Sequence, residues 1–213
     1  MEVEVFLARM RFFKLFSSCA VALVLFSACF TTQAGAQSFL HNSDVSVSAF
    51  GQSTASVSGN GVTNDPTESI GGQAAFRHSY HWWLGFEGSY DYTRFSEHYS
   101  NSRYAIQHNT HEVAASYLVS GTSFLGFRPF ALGGVSALVY SPSLNGGQNA
   151  PWQGEPAVNF GAGINYHLLT SHFGIRVQYR GVYAKAPDFH DAALNADKFR
   201  LTSEPMAGIY LHF

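Results

Sequence analysis

The residues of this 213-residue chain that could do chemistry are ten histidines and a sparse set of charges. His78 and His81, like His108 and His111, are spaced i, i+3. On a strand that spacing turns the two rings to opposite faces. His108-Asn109-Thr110-His111-Glu112 also lacks the helical spacing of two histidines around a Glu that binds zinc. No metal site and no cofactor is expected. His41-Asn42-Ser43 sets a histidine two residues from a serine, and Asp188-Phe189-His190-Asp191 mixes acid and imidazole. Neither has an evident third partner. The charges are more informative: Arg77, Glu87, Asp91, Glu112, Arg176, Arg180 and Glu204 each occupy the polar side of a segment whose other side is apolar. Arg128 joins them on one of two possible phases. An isolated buried ion costs several kcal/mol or more, so charges gathered in an interior must pair.

The element that must position them is clearest at the carboxyl end. In Pro205–Phe213, Ala207, Ile209, Leu211 and Phe213 alternate with Met206, Gly208, Tyr210 and His212. Period two is the mark of a two-faced strand. A bare apolar strand at a chain end is an exposed edge that invites aggregation. Pairing the last strand with the first removes the edge by closing a barrel.

The amino end bears on compartment. Arg9, Arg11 and Lys14 precede the apolar run Leu15–Phe30, and Ala34-Gly35-Ala36 supplies small residues at Ala34 and Ala36. This is the pattern of a secretory signal peptide spanning 1–36, cut after Ala36. Cys19 and Cys29 both lie within it, so the expected mature domain, 37–213, has no disulfide and no thiolate chemistry. Without the leader the formal charge passes from −2 to −3, with nine basic and twelve acidic residues. No basic patch stands out, and nucleic acid is not an expected partner. Charged residues make up 12% of the chain, against about 25% in soluble domains, and aromatics reach 15%. No mature segment offers the ~20 apolar residues of a transmembrane helix. A chain poor in charge, rich in Phe, Tyr and Gly, and without such a helix fits a membrane β-barrel.

Eight alternating segments can be read in order: about 43–52, 70–80, 83–95, 104–119, 127–140, 156–168, 173–183 and 199–213. The third is the cleanest, with Leu84, Phe86, Gly88, Tyr90 and Tyr92 against Gly85, Glu87, Ser89, Asp91 and Thr93. The fifth has no clear phase, since both faces are largely apolar around Gly133-Gly134. The polar stretches 53–69, 96–103, 141–155 and 184–198 read as long loops, and the other connections are short. Eleven residues at ~3.3 Å, tilted about 40°, rise roughly 28 Å, close to the apolar band of a barrel wall. Tyr80, Trp82, Trp83, Phe127, Phe173 and Phe213 fall at the short-turn end, and Tyr90, Tyr92, Tyr140 and Tyr183 toward the long-loop end. Both sets are expected to form aromatic girdles, where a ring buries its body and keeps its polar tip wet.

With Tyr90-Asp91-Tyr92-Thr93-Arg94-Phe95, the 173–183 strand and the terminal Phe213, the chain resembles the small eight-stranded outer-membrane barrels of the OmpA transmembrane-domain and OmpX type. The resemblance covers the whole expected mature domain. It implies an all-β, antiparallel, up-and-down, eight-stranded transmembrane barrel in a Gram-negative-type outer membrane, surrounded by outer-membrane lipid and lipopolysaccharide. It also implies that the terminal strand, through Ile209, Leu211 and Phe213, is read by the outer-membrane assembly machinery. No carboxyl-terminal peptidoglycan-binding domain, and so no wall-anchoring role, is expected beside the barrel. The expected function is structural or surface-interacting, carried by the loops around a lumen plugged with paired charges, and not enzymatic. The alternatives are a narrow gated pore, a lipid A deacylase type of outer-membrane enzyme, or a soluble exported ligand-binding barrel. The apolar positions of the strands oppose Glu87, Arg176 and Arg180, which cannot all line a greasy pocket.

Overall fold

A computed structural model describes residues 41–168 and 172–213. The expected signal peptide, with Ala34 and Ala36, lies outside the described residues, as does part of the turn before the seventh expected strand. Ten strands follow in order: β1 (Ser43–Thr54), β2 (Val57–Gly59), β3 (Val62–Pro66), β4 (Ser69–Ser79), β5 (Leu84–Tyr99), β6 (Ile106–Ser120), β7 (Phe127–Pro142), β8 (Gln153–His167), β9 (Phe173–Lys185) and β10 (Phe199–His212). Eight of them, β1 and β4 to β10, form the wall, each antiparallel to the next in that order, and β10 pairs with β1 to close the ring. The terminal residue joins the seam: Phe213 N–H donates to the Ser43 carbonyl at 2.9 Å, and its own carbonyl accepts from Asn42 N–H at 3.3 Å.

The register gives the barrel its tilt. Stepping from Ser53 through Ser203, Gly181, Phe160, Gly133, Tyr117, Phe86 and His78 returns to β1 at Ser43, ten residues away. Ten residues of shear over eight strands corresponds to a tilt of about 40°. Such a barrel is only wide enough for its own side chains. Interior rings are accommodated opposite glycines: Phe50 lies over Gly71, Phe130 over Gly163 and Tyr210 over Gly174, each against its cross-strand partner. A Cβ at any of these glycines would occupy the ring's place.

Facing follows the two-residue period. Val45, Val47, Tyr90, Val113, Tyr117, Val158, Ile175, Tyr179 and Ile209 are exposed on the outside, while Arg77, Glu87, Asp91, Glu112, Arg176, Arg180 and Glu204 are buried inside. β7, whose phase is ambiguous in sequence, turns Phe130, Leu132, Ser136, Leu138 and Tyr140 inward. Both its faces are apolar because the interior itself holds two apolar clusters, one around Leu118, Phe130 and Leu132, the other around Phe95, Tyr99, Ile106, Leu138 and Tyr140.

Two expectations need correction. The stretch 53–69 is not a plain loop. β2 and β3 form a hairpin around Asn60-Gly61, both at positive φ (49° and 77°), and β3 pairs with the upper end of β5. Asn-Gly at two left-handed positions is the type I′ turn whose twist suits a hairpin. Likewise 96–103 is half strand, since β5 continues to Tyr99. Charged and polar residues on a strand extended beyond the wall look like loop residues in sequence, because neither face needs to meet lipid.

Candidate functional site

Inside the barrel the charges form four tiers built from strands on opposite sides. At the short-turn end Arg176 donates to Asp44 Oδ1, Ser46 Oγ and Asn165 Oδ1, each at 2.8 Å. Its guanidinium also lies 4.9 Å from the Tyr210 ring centroid, within cation–π range. Next, Arg77 pairs with its cross-strand neighbour Glu87, donates to Gln178 at 2.9 Å, and lies 4.1 Å over the Phe130 ring. The third tier is a hub. Arg180 donates through three nitrogens to three carboxylates: Glu204 at 2.8 Å, Glu112 at 2.8 Å and Asp91 at 3.0 Å. These acids come from β10, β6 and β5, so one guanidinium on β9 spans the lumen. In the fourth tier Arg200 binds Glu97 through two nitrogens at 2.5 and 2.9 Å and reaches Asn64 on β3 at 3.3 Å. His108 stands 3.5 Å from the same Glu97.

The seven charges marked in the sequence all belong to these tiers. Asp44, Glu97, Arg200 and His108 were not among them. Parity could have found three: Asp44 shares the inward phase of Ser46 and Ser48, Glu97 that of Asp91 and Thr93, and Arg200 that of Glu204. Arg128 lies at the short-turn rim, where it donates to the Gly121 carbonyl at 3.4 Å and to that of Trp82. His108 and His111 do face opposite sides, one buried and one partly exposed.

Above the fourth tier the loops fold into a cap. Phe189, from the segment joining β9 to β10, is only 2% exposed and packs among Val62, Tyr99, Tyr140 and Val182. Its ring lies 5.6 Å from that of His108. Gln153 Oε1 accepts from the N–H groups of Asp188 and Phe189, and Tyr99 Oη donates to the Pro187 carbonyl at 2.8 Å. The β2–β3 hairpin leans on the same segment, with Asn60 donating to the Asn195 carbonyl at 3.1 Å. Outside the wall, the Lys185 ammonium sits 2.9 Å from Asp197 and holds that carboxyl below the usual carboxylate range.

The aromatic positions divide. Tyr80, Trp82, Trp83, Phe127, Phe173 and Phe213 are exposed at the short-turn end, and Tyr90, Tyr92 and Tyr183 are exposed nearer the loops. Tyr140 does not join the outer set. It is 3% exposed and points into the barrel beside Phe189. An interior that is apolar near the mouth admits an inward tyrosine, which strand-end position alone does not reveal. Ile209, Leu211 and Phe213 share the outer face of the seam strand. Ser43, with His78 at 2.9 Å, is fully buried at the short-turn end.

A family model described as "Outer membrane protein beta-barrel domain" matches residues 22–202, most of the chain. The chain belongs to the outer-membrane β-barrel family. As a family member it is an integral barrel of the outer membrane of a Gram-negative-type envelope. Among solved structures it is similar to the Neisserial surface protein A, at 16% identity, covering 81% of this chain and 97% of that one with a TM-score of 0.58. It is also similar to the outer-membrane protein OprG from Pseudomonas aeruginosa, at 12% identity over 81% and 96% with a TM-score of 0.52. At such identities these likenesses speak for the barrel fold alone. No curated protein matches by sequence. For this outer-membrane barrel, the short turns lie on the periplasmic side and the cap faces outward, as in the family's architecture.

Proposed function

We propose that the protein is a non-enzymatic envelope barrel with a lumen closed by its own side chains, acting through the folded cap of its outer loops. The observation that carries this reading is the Arg180 hub, a guanidinium bound to acids from three other strands across the bore. Between that hub and Arg200 the remaining cavity is about 20 Å³, room for roughly one water. A continuous aqueous path would require several of these pairs to break together. Single-channel recording in planar bilayers should therefore give no persistent conductance. A steady nanosiemens pore would refute the closed lumen.

The barrel contacts outer-leaflet lipid and lipopolysaccharide through its wall, and the assembly machinery reads Ile209, Leu211 and Phe213 on the closing strand. A non-catalytic role is supported by the burial of Ser43, whose hydroxyl is bonded to His78 and is shut off from solvent. Mass spectra of lipid A from cells overproducing the protein should match those of control cells. Loss of an acyl chain would assign it to lipid-modifying enzymes instead.

A further inference from the structure

The outer face of β5 and β6 carries a ladder of polar pairs that takes no part in closing the lumen. Tyr90 Oη lies 2.7 Å from His111 Nδ1, Tyr92 Oη donates to Asn109 Oδ1 at 3.0 Å, and Arg94 donates to Gln107 Oε1 at 2.5 Å. The Tyr92 and His111 rings are 5.3 Å apart. Gln107 is fixed in turn, because its N–H and carbonyl each make a 2.8 Å bond to the loop after β7, at Gly146 and Ser143.

Height and charge set Arg94 apart. Outward residues on β5 run Leu84, Phe86, Gly88, Tyr90, Tyr92 and then Arg94. Ten residues at ~3.3 Å and a tilt of about 40° place Arg94 roughly 25 Å above Leu84, which is the full height of a barrel's apolar band. On β6 the outward row changes from Val113 to His111 at the same level, Tyr92 being the cross-strand partner of His111. On β4, Ile70 is exposed beside them. Among the described residues, two strand cations face outward. Lys185 is paired with Asp197, whereas Arg94 has no carboxylate in ion-pair contact. Glu68 is exposed just before the start of β4 and Asp65 lies opposite His98, yet neither pairs with Arg94. An outward guanidinium without a counter-ion, at the margin of the acyl region, is a site for an anion from the surrounding leaflet.

We propose that Arg94, with His111 and Tyr92, forms a binding site for a phosphate group of the phosphorylated glycolipid that makes up the outer leaflet. Arginine suits this ligand because its planar fork can bond two phosphate oxygens together. Tyr92 and His111 flank it at the level where acyl chains give way to sugar. The inference rests on the proposed contact with lipopolysaccharide and is independent of the closed lumen.

The test is native mass spectrometry of the detergent-refolded barrel with lipopolysaccharide, the same glycolipid after enzymatic dephosphorylation, phosphatidylglycerol micelles, or inorganic phosphate alone. Wild type should retain intact lipopolysaccharide, and R94Q should weaken that binding about tenfold, the scale of one lost charge-assisted pair. K185Q should bind as wild type. The dephosphorylated glycolipid should bind wild type as weakly as the intact one binds R94Q. Heat-modifiable migration of R94Q would show that it folds. Equal retention by R94Q and wild type overturns the site, as does equal loss in K185Q. Equal binding of phosphatidylglycerol or free phosphate overturns its choice of ligand. If wild type binds no lipopolysaccharide at all, the lipid-contact reading fails with it, whereas R94Q binding as tightly as a wild type that does bind removes only this site.

Discussion

Arg180→Ala should destabilise the barrel by about 3–5 kcal/mol, the usual cost of removing one member of a buried ionic network. Arg180 is 1% exposed and is the common partner of Asp91, Glu112 and Glu204. Without it three buried carboxylates on β5, β6 and β10 would face one another across the bore. The desolvation of each acid would remain and its compensation would be lost. The check is equilibrium urea unfolding in lipid vesicles, followed by the shift of heat-modifiable migration. Arg180→Lys serves as the companion. It keeps one positive charge but lacks the fork that reaches three acids, so it should fall between wild type and Arg180→Ala. If Arg180→Ala unfolds within about 1 kcal/mol of wild type, the hub is not what holds these strands across the lumen.

The second large effect belongs to the outer face. Ile209→Arg should impair insertion by about 2–4 kcal/mol, the cost of a basic side chain near the midplane of a barrel wall. Ile209 is 63% exposed and lies between Val47 on β1 and Ile175 on β9, both outward and apolar. It sits on the strand that closes the ring, so the lesion also touches the β1–β10 seam. Refolding yield into vesicles, compared with Ile209→Val, reads the effect. Unchanged assembly of Ile209→Arg would mean that this face does not meet acyl chains. The two substitutions test the two environments separately: one removes a charge from the inside, the other adds a charge to the outside.

The eight-strand plan was legible because a wall between lipid and a packed polar interior imposes period two on every segment that crosses it. Glu87, Asp91, Arg176 and Arg180 opposite Phe86, Tyr90, Ile175 and Tyr179 leave little choice of facing. Legibility failed wherever one of the two environments changed. The interior is apolar at Phe130 and Leu132 toward the short turns and again at Leu138 and Tyr140 near the mouth, so β7 loses its alternation and strand-end position alone puts Tyr140 on the wrong side. Above the membrane the outer face becomes polar, so the upper part of β5, with Glu97, passed for loop. The Asn60-Gly61 turn was visible but sat among polar residues that gave its flanking strands no apolar face to report.

Alternation along single strands is a local property, and from it the sequence by itself determined the barrel, its approximate span and the inward placement of seven charges. Partners across the bore are another matter. That one arginine on β9 would gather acids from three other strands depends on a ten-residue shear, which sums eight pairwise registers and is encoded in none of them alone. The seating of Phe189 over His108 depends likewise on loops that meet only after the ring has closed. Those contacts were decided by the tertiary structure, because closure brings together residues whose separation along the chain carries no information about their distance in space.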